Sequence, residues 1–411
     1  MAAGDVKIKT LKIGDIDLND AKTASYVGFN IYEDILNPYG PLCEIRVMDH
    51  SDALGKKKLN GSFDKDIEIS LSGSDFGGAK TYKMKMYQNK NLNDLSMNNS
   101  GSGHSKQYDI RGVPVEMLNA QGNYMQKSYK DQTHKIVEDV VKKGFKSKLQ
   151  VDVKSKSDVQ RRVILNNKHP IDCIKDLNSL HVSNEDKSSC FVLFQETGDQ
   201  QKYVFATFEK LFKEQSVVTL KQSTTLDASK SSFEKKQNSI IWFKPSNSFF
   251  TPSRPLSKSA QKTFNFTTHG SYAPNKEEET KFKLPDEPVY KGNSQNAKEV
   301  PIYHTYDKAN DKQKHTTADA KTTRAAFLSH LAQNSAELET YFNPKIKLGS
   351  MITLEIPNKS NSEGGGEKQF NGKCLVVAIR TKIKPLGQSP RATMILRVVK
   401  ASYKEGGNGE A

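Results

Sequence analysis

The chain has 411 residues, enough to bury more than one core, and its length suggests roughly two to four domains. The hydrophobic share is 35% and the mean hydropathy is -0.69, yet alternating apolar runs occur from end to end, which excludes wholesale disorder. No run of about 18 apolar residues occurs, and residues 1–7 lack the apolar core of a signal peptide. We therefore expect no membrane insertion.

The net charge of +15 raises the hypothesis of a nucleic-acid partner, because a basic surface gathers phosphate through counterion release. Residues 1–50 carry five Lys and Arg against eight Asp and Glu, whereas residues 351–411 carry ten against five. The remaining excess is spread over the middle of the chain. Arginine, which suits bidentate phosphate and guanine contacts, occurs only nine times. A solvated lysine-rich surface explains the charge better than a dedicated nucleic-acid site.

The four cysteines lie far apart in sequence and form no C-x-x-C pair that could hold zinc or carry out redox chemistry. We predict that they are buried free thiols: Cys43, Cys173, Cys190 and Cys374. None of the nine histidines has a compact ligand spacing. His134 lies four residues before Glu138 on a predicted helix, a spacing typical of a surface pair rather than a metal site.

Other candidate motifs carry little chemistry. The glycines of residues 101–104 lack the strand and helix that a phosphate loop or a nucleophile elbow requires. Glu277, Glu278 and Glu279 form a solvated charge run rather than a glycosidase pair. Trp242 is the only tryptophan; with Phe249 and Phe250 it could form a stacking surface for sugars or bases, but a core or subunit contact fits better. We predict no enzyme, and no catalytic, cofactor-binding or metal-binding residues.

Residues 1–110 are predicted to form a first small β-barrel domain. Apolar and polar residues alternate in residues 44–49, 66–72 and 82–86, and turn signals separate these runs at residues 37–41, 59–62 and 73–78. Residues 98–103 are predicted to be a flexible hairpin tip or loop. Short strands at this spacing indicate a small barrel or sandwich.

Residues 111–212 are predicted to form an α+β insert. Ile136, Val137, Val140 and Val141 recur at helical spacing, and Gly144 is placed to cap that helix. A second helix begins at Pro170, a favourable first position for proline. Two apolar runs, at residues 190–196 and 202–208, follow it as a β-hairpin. This helix and hairpin contain no plausible catalytic group.

A second small β-barrel domain is predicted from residues 213–270 and 335–405. Strands are expected at residues 217–221, 240–244 and 263–267, and clear alternation returns at residues 352–356, 374–383 and 394–398. Residues 271–334 are predicted to be a long polar excursion that ends in a helix over residues 318–333. The fold class is thus mixed α+β and mainly β.

Three stretches in this order resemble a known family. They are residues 31–36 with Gly40, Pro41 and the following strand, the Pro170 helix with the run Phe191-Val192-Leu193-Phe194, and residues 347–357 with 370–377 and the last strand. Together they are similar to the central hub protein of contractile-tail, T4-like bacteriophage baseplates. That family shares its fold with the amino-terminal part of type VI secretion spike proteins. Residues 222–320 match no family pattern.

The resemblance implies a structural virion protein of the tail baseplate, assembled in the host cytoplasm. In that family, two similar barrels per subunit assemble as a homotrimer into a pseudo-sixfold ring that joins a hexameric tail tube to a trimeric spike. The implied partners are the tube or tube-initiator proteins, the central spike, baseplate wedge proteins, and DNA that passes through the lumen without sequence-specific binding. The insert would buttress the barrels on the outer side of the ring.

Two other hypotheses follow from the composition. A basic nucleic-acid-binding protein with OB-like barrels would bind DNA tightly and salt-dependently as an isolated chain. A cell-wall hydrolase of the injection apparatus would clear peptidoglycan by itself and lose that activity when one carboxylate is replaced.

Overall fold

The computed structural model describes residues 4–19, 24–50, 54, 65–73, 78–91, 106–157, 160–186, 188–198, 200–222, 238–246, 261–264, 302–305, 324, 327–328, 331, 335–356, 370–386 and 389–400. The architecture is mixed and mainly β, as the sequence predicts. The loop predicted at residues 98–103 and the glutamates at 277–279 lie outside the described residues.

Seven strands come from the first part of the chain: β1 Val6–Ile13, β2 Ile16–Asp17, β3 Ala24–Asp34, β4 Leu42–Asp49, β5 Asp66–Gly73, β6 Ala79–Asn91 and β7 Lys106–Val113. The insert contributes β8 Met125–Gln132, β9 Val151–Val153, β10 Gln160–Lys168, β11 Phe191–Glu196 and β12 Lys202–Thr207. The remaining strands are β13 Ser216–Lys221, β14 Ile240–Ser246, β15 Gln261–Phe264, β16 Ile302–Thr305, β17 Ser335–Tyr341, β18 Met351–Glu355, β19 Gly372–Leu386 and β20 Ser389–Val399.

Eight strands form a closed circuit in the order β20, β19, β3, β4, β7, β6, β5 and β1. Every ladder in it is antiparallel, and β1 returns to β20 through a bridge between Asp5 and Arg391. There the amide of Ala392 donates to the carbonyl of Gly4 at 2.9 Å. Along β5, the inward Ile67, Ile69 and Leu71 alternate with the outward Asp66, Glu68 and Ser70, as a sheet with one solvated face requires.

Six strands form a second circuit in the order β14, β17, β20, β19, β18 and β13. A bridge between Lys221 and Ser239 returns β13 to β14, and the amide of Lys221 donates to the carbonyl of Asn238 at 3.0 Å. The pairing of β13 with β18 is parallel, and the other ladders are antiparallel.

The hairpin of β19 and β20 belongs to both circuits. The beginning of β19, residues 372–375, pairs with β18, whereas residues 378–383 pair with β3. At about 3.3 Å per residue, a strand of 15 residues spans roughly 50 Å, which is long enough to serve both neighbours. One continuous apolar core therefore runs beneath strands from both ends of the chain.

The described residues of 111–212, the predicted insert, form four short helices: α1 Val115–Gln121, α2 Thr133–Asp139, α3 Pro170–Leu180 and α4 Phe208–Phe212. A π-helical turn, Val140–Gly144, extends α2. The predicted cap at Gly144 is wrong, because the π turn includes this residue and Phe145 takes the cap position. Gly144 serves packing instead: a Cβ there would lie 2.9 Å from the ring of Pro170.

The predicted strands at residues 217–221, 240–244, 352–356, 374–383 and 394–398 are confirmed to within a few residues, as is the Pro170 helix. Within the predicted polar excursion, β16 pairs in parallel with β15. The described residues of the predicted helix, namely Arg324, Phe327, Leu328 and Leu331, are helical. Over the described part of the chain, no helix has the length and apolar character needed to cross a membrane.

Candidate functional site

The hairpin of β11 and β12 is a wall between two apolar cores. The two strands pair in register from Phe191 opposite Thr207 to Glu196 opposite Lys202, and nearly every residue is buried. Alternate side chains enter opposite cores because successive residues of a strand point to opposite faces. Five belong to the core beneath the strand circuits: Cys190, Val192, Phe194, Val204 and Ala206. Four belong to the core of the insert: Phe191, Leu193, Tyr203 and Phe205.

Aromatic packing stabilises the insert side of this wall. The rings of Phe191 and Phe205 stack with centroids 5.0 Å apart and an interplanar angle of 10°. Phe145 contacts both Tyr203 and Tyr39, at centroid distances of 6.2 and 5.1 Å. Tyr39 comes from the loop after β3, so the first part of the chain contributes directly to the core of the insert.

A buried ion pair lies at the tip of the hairpin. The ammonium of Lys80 donates to the carboxylate of Glu33 at 3.2 Å, and the side chains are 0% and 1% exposed. The same carboxylate accepts from the hydroxyl of Tyr82 at 3.4 Å and from that of Thr197 in the hairpin turn. Burial, with the charge of Glu33, raises the pKa of Tyr82 well above its ordinary value, so the phenol stays a donor.

Backbone contacts complete this tip. The amide of Thr81 donates to the carbonyl of Gly198 at 3.2 Å, and the amide group of Gln201 donates to the carbonyl of Thr81 at 3.3 Å. Lys347 forms an ion pair with Glu196 at 3.1 Å. The hairpin tip therefore joins the first strands, the insert and the last part of the chain. One feature of the sequence indicates this polar group at the hairpin tip. Glu33 lies on the same inward face of β3 as Ile31, and it is a charged residue on an apolar face.

The described helical residues before β17 dock on the same hairpin. Arg324, Phe327, Leu328 and Leu331 have the i, i+3, i+4, i+7 spacing of one helix face. Phe327 is 0% exposed and lies 6.0 Å from the ring of Phe208. The guanidinium of Arg324 donates to the carbonyls of Asn178, at 3.3 Å, and Phe191. The described residues of the predicted helix thus pack against the core rather than lying on the surface.

Gly349 permits a close approach to the hairpin. Its φ of +75° is a conformation that favours glycine, and a Cβ there would lie 2.5 Å from the ring of the buried Phe194. Its amide donates to the carbonyl of Val376 at 2.9 Å. This position belongs to residues 347–357, one of the stretches that carry the family resemblance.

All four cysteines are free and buried, which confirms the prediction. Burial raises the pKa of the Cys43 and Cys374 thiols to about 12 and that of Cys173 to about 11, so none of them is an activated nucleophile. Burial likewise raises the pKa of Cys190. The described residues contain no group of three or more His, Cys, Asp or Glu placed to hold a metal ion.

The predicted surface pair of His134 and Glu138 is wrong. His134 is 6% exposed, while Glu138 is exposed. Burial, and then the charges of Lys156 and Lys135, lower the pKa of His134 below its ordinary value. The i, i+4 spacing did not reveal that His134 lies on the inner face of α2, next to the buried Thr133.

Replacing His134 with Gln is expected to reduce the loss of stability in mild acid. The folded state disfavours the imidazolium, so below an unfolded-state pKa of about 6.5 the unfolded chain binds a proton that the folded chain resists. Stability therefore falls as the pH drops through that value and is unaffected by this group above it. Thermal midpoints measured from about pH 7.5 to 5.5 should fall less for the variant. Parallel curves for the two proteins would contradict the assignment.

Trp242 is half-buried in β14 and is paired across the sheet with Glu339. Its indole N–H donates to the Glu339 carboxylate, which also accepts from Thr393 at 2.6 Å. Next to it, Phe243 packs edge-on against Phe370 at 5.5 Å. These contacts favour the predicted core role over a free stacking surface. Phe249 and Phe250 lie outside the described residues.

Comparison with known proteins gives a likeness of fold. No protein-family model matches the chain, and no curated protein matches its sequence. The 43 kDa tail protein of prophage MuSo2 from Shewanella oneidensis superposes with a TM-score of 0.55 at 10% identity, over 97% of this chain and 98% of that one. A tail protein from Neisseria meningitidis MC58 gives 0.53 at 9% identity, over 96% of each chain.

A third similar structure is the E. coli c3393 protein, a component of the type VI secretion system with structural similarity to the T4 bacteriophage tail proteins gp27 and gp5. Its TM-score is 0.50 at 10% identity, over 97% of this chain and 77% of that one. The resemblance that the sequence indicated is thus confirmed for the fold. The chain has, along nearly its whole length, the fold of these phage tail and secretion-system proteins.

Proposed function

We propose that this chain is the central hub of a contractile-tail baseplate, a structural virion protein rather than an enzyme. The observation that carries the proposal is the likeness to the MuSo2 tail protein over nearly the full length of both chains. In the proposed role, three copies form a ring that joins a sixfold tail tube to a threefold spike around a DNA channel. The protein would be assembled in the host cytoplasm and reside in the tail.

The two strand circuits support this role through symmetry. A trimer of a subunit with two similar β units presents six near-equivalent surfaces, whereas a trimer with one unit presents three. We propose residues 1–110 as the first unit, residues 213–270 with 335–405 as the second, and residues 111–212 as the insert. The shared hairpin of β19 and β20 would fix the angle between the units, because it pairs with both.

The packing of the interior also suits a protein that must keep its shape under mechanical force. A hub transmits force between tube and spike, and it requires fixed geometry more than a reactive centre. The buried ion pair of Lys80 and Glu33 joins β6 to β3, and Thr197 of the hairpin turn donates to the same carboxylate. The residues of the hairpin that separates the cores contribute packing on both of its faces. The proposed partners are the tube or tube-initiator proteins, the spike and the baseplate wedge proteins.

The mass of the purified chain in solution tests the trimer. Light scattering is expected to give three times the chain mass of 46.0 kDa for the chain alone, or that mass plus the mass of the bound spike where the trimer forms only after the spike is added. Electron micrographs of that species should show rings with pseudo-sixfold symmetry. A chain that stays monomeric and joins neither spike nor tube would refute the proposal.

The second candidate is a nucleic-acid-binding protein with OB-like barrels, favoured by the net charge of +15. It predicts tight DNA binding by the isolated monomer, with an affinity that falls steeply as salt increases. Trimer formation together with weak DNA binding would exclude it. The hydrolase alternative predicts peptidoglycan clearing by the chain alone, and the hub proposal predicts none.

A further inference from the structure

The strands β8 and β10 form a two-stranded ribbon with a polar outer face. In the described residues this sheet has no third strand. Its inner face is apolar and packs into the insert through Tyr129 and Leu165. The outer face carries Ser128 and Lys130 from one strand and Arg162 and Ile164 from the other, and all four are exposed. No carboxylate lies among these outer positions.

Ile164 is exposed in an unusual place. It is 68% exposed, more than any other large apolar side chain in the described part of the molecule. It lies in the middle of its strand, opposite Ser128, rather than in a loop. By itself one exposed apolar side chain is ordinary on a protein surface, so what distinguishes Ile164 is the charge beside it.

Two cations lie beside Ile164 on the same face of the ribbon, both towards the beginning of β10. Arg162 is two residues before Ile164, and its direct partner across the ribbon is Lys130. Like charges directly opposite in a ladder lower stability, so folding alone does not favour this pair. No ion pair within 4 Å involves Lys130 or Arg162 among the described residues, whereas the nearby Lys127 and Lys135 pair with Asp139 and Asp131.

Positive charge is concentrated in the part of the sequence that contains the ribbon. Residues 125–168 carry twelve Lys and Arg against five Asp and Glu, nearly half of the net charge of the whole chain in about a tenth of its length. Lysine on an exposed strand also prevents edge-to-edge aggregation, but that role does not account for Ile164.

We propose that the outer face of the β8–β10 ribbon is a docking surface for an acidic protein segment, with Ile164 covered by an apolar side chain and Lys130 and Arg162 paired with carboxylates. A second copy of this chain fits poorly, because it brings a net charge of +15. Nucleic acid fits poorly too, because its sugar–phosphate backbone gives Ile164 no apolar partner. The surface lies outside the strand circuits and is additional to the ring contacts of the hub.

A labelled peptide tests this surface on the full chain. The probe is a short peptide in which Glu alternates with Val, and its control replaces every Glu with Gln. Fluorescence anisotropy is expected to show salt-sensitive binding of the Glu peptide only. The double variant K130E/R162E should weaken binding by at least about tenfold, and I164S by a smaller factor that is independent of salt. The matched control K9E/K373E changes the net charge equally at exposed positions elsewhere.

Three results would overturn the proposal. The first is that the wild-type chain fails to bind the Glu peptide. The second is that K130E/R162E and K9E/K373E weaken binding equally, which would indicate only long-range electrostatic attraction. Alternatively, duplex DNA could compete the peptide off and itself lose affinity in K130E/R162E, which would make the ribbon a nucleic-acid site. Unchanged thermal midpoints in the variants establish that altered binding reflects the surface and not the fold.

Discussion

Replacing Lys80 with Met is expected to lower the free energy of unfolding by about 3–5 kcal/mol, measured by urea denaturation at fixed protein concentration. The variant keeps most of the length and the apolar character of the side-chain stem but leaves the Glu33 carboxylate buried without its cation. The remaining donors, Tyr82 and Thr197, cannot neutralise the charge. The cost is large because the carboxylate lies in the interior, with its side chain 1% exposed.

Two further variants separate this cost from lost packing. In the double variant K80M/E33Q, the charge is gone and the amide oxygen can still accept from Thr197, so we expect a loss of only about 1–2 kcal/mol. In the control K202M, a half-exposed ion pair with Asp152 at 2.7 Å is removed, and the expected change is at most about 1 kcal/mol. If K80M behaved like K202M, the ion pair would not hold the hairpin tip in place.

Local pattern was enough to predict most strands and the helix–hairpin unit. The hairpin of Phe191–Glu196 and Lys202–Thr207 was readable because two apolar runs flank a polar turn that contains Gly198. The alternation of Ile67, Ile69 and Leu71 likewise fixed which face of β5 is buried. Each of these predictions depends only on residues within one strand or helix. Hydrophobic periodicity is a property of such residues, so it was enough to reveal them.

Contacts between distant elements were not predictable in this way. Nothing near Lys80 in sequence shows that Glu33 lies opposite it, and neither residue indicates that Thr197 completes the group. The double role of β19 was missed for the same reason, since a uniform alternation over 15 residues does not show where one partner strand gives way to another. A continuous apolar run in β11 indicated burial on both faces but not that two cores meet there.

The hairpin was predicted to buttress the barrels on the outer side of a ring, and within one subunit it lies between the two apolar cores. Its alternate side chains enter both cores, its turn closes over the Glu33 carboxylate, and its first strand supports the helix that holds Arg324. A hub needs the relative positions of its parts to be fixed under load. In the proposed hub role, this hairpin would meet that need because its side chains enter both cores.

Replacing Phe327 with Ala is expected to lower the free energy of unfolding by about 3–5 kcal/mol, the usual cost of removing a large buried aromatic side chain. The ring is 0% exposed and packs against Phe208 at the end of the hairpin unit. Leu328 is the control on the same helix, because it is only partly buried, and L328A should cost less than half as much. Urea denaturation of both variants measures the difference.

The difference in stability between F327A and L328A tests whether the helical residues before β17 are part of the core. A polar excursion that merely crosses the surface would tolerate F327A and L328A equally, within about 0.5 kcal/mol of the parent. A large and unequal loss means that this segment closes the core over the hairpin, with Arg324 held by the carbonyls of Asn178 and Phe191. In that case Phe327 belongs to the core that residues from both ends of the chain share, with the hairpin as their common support.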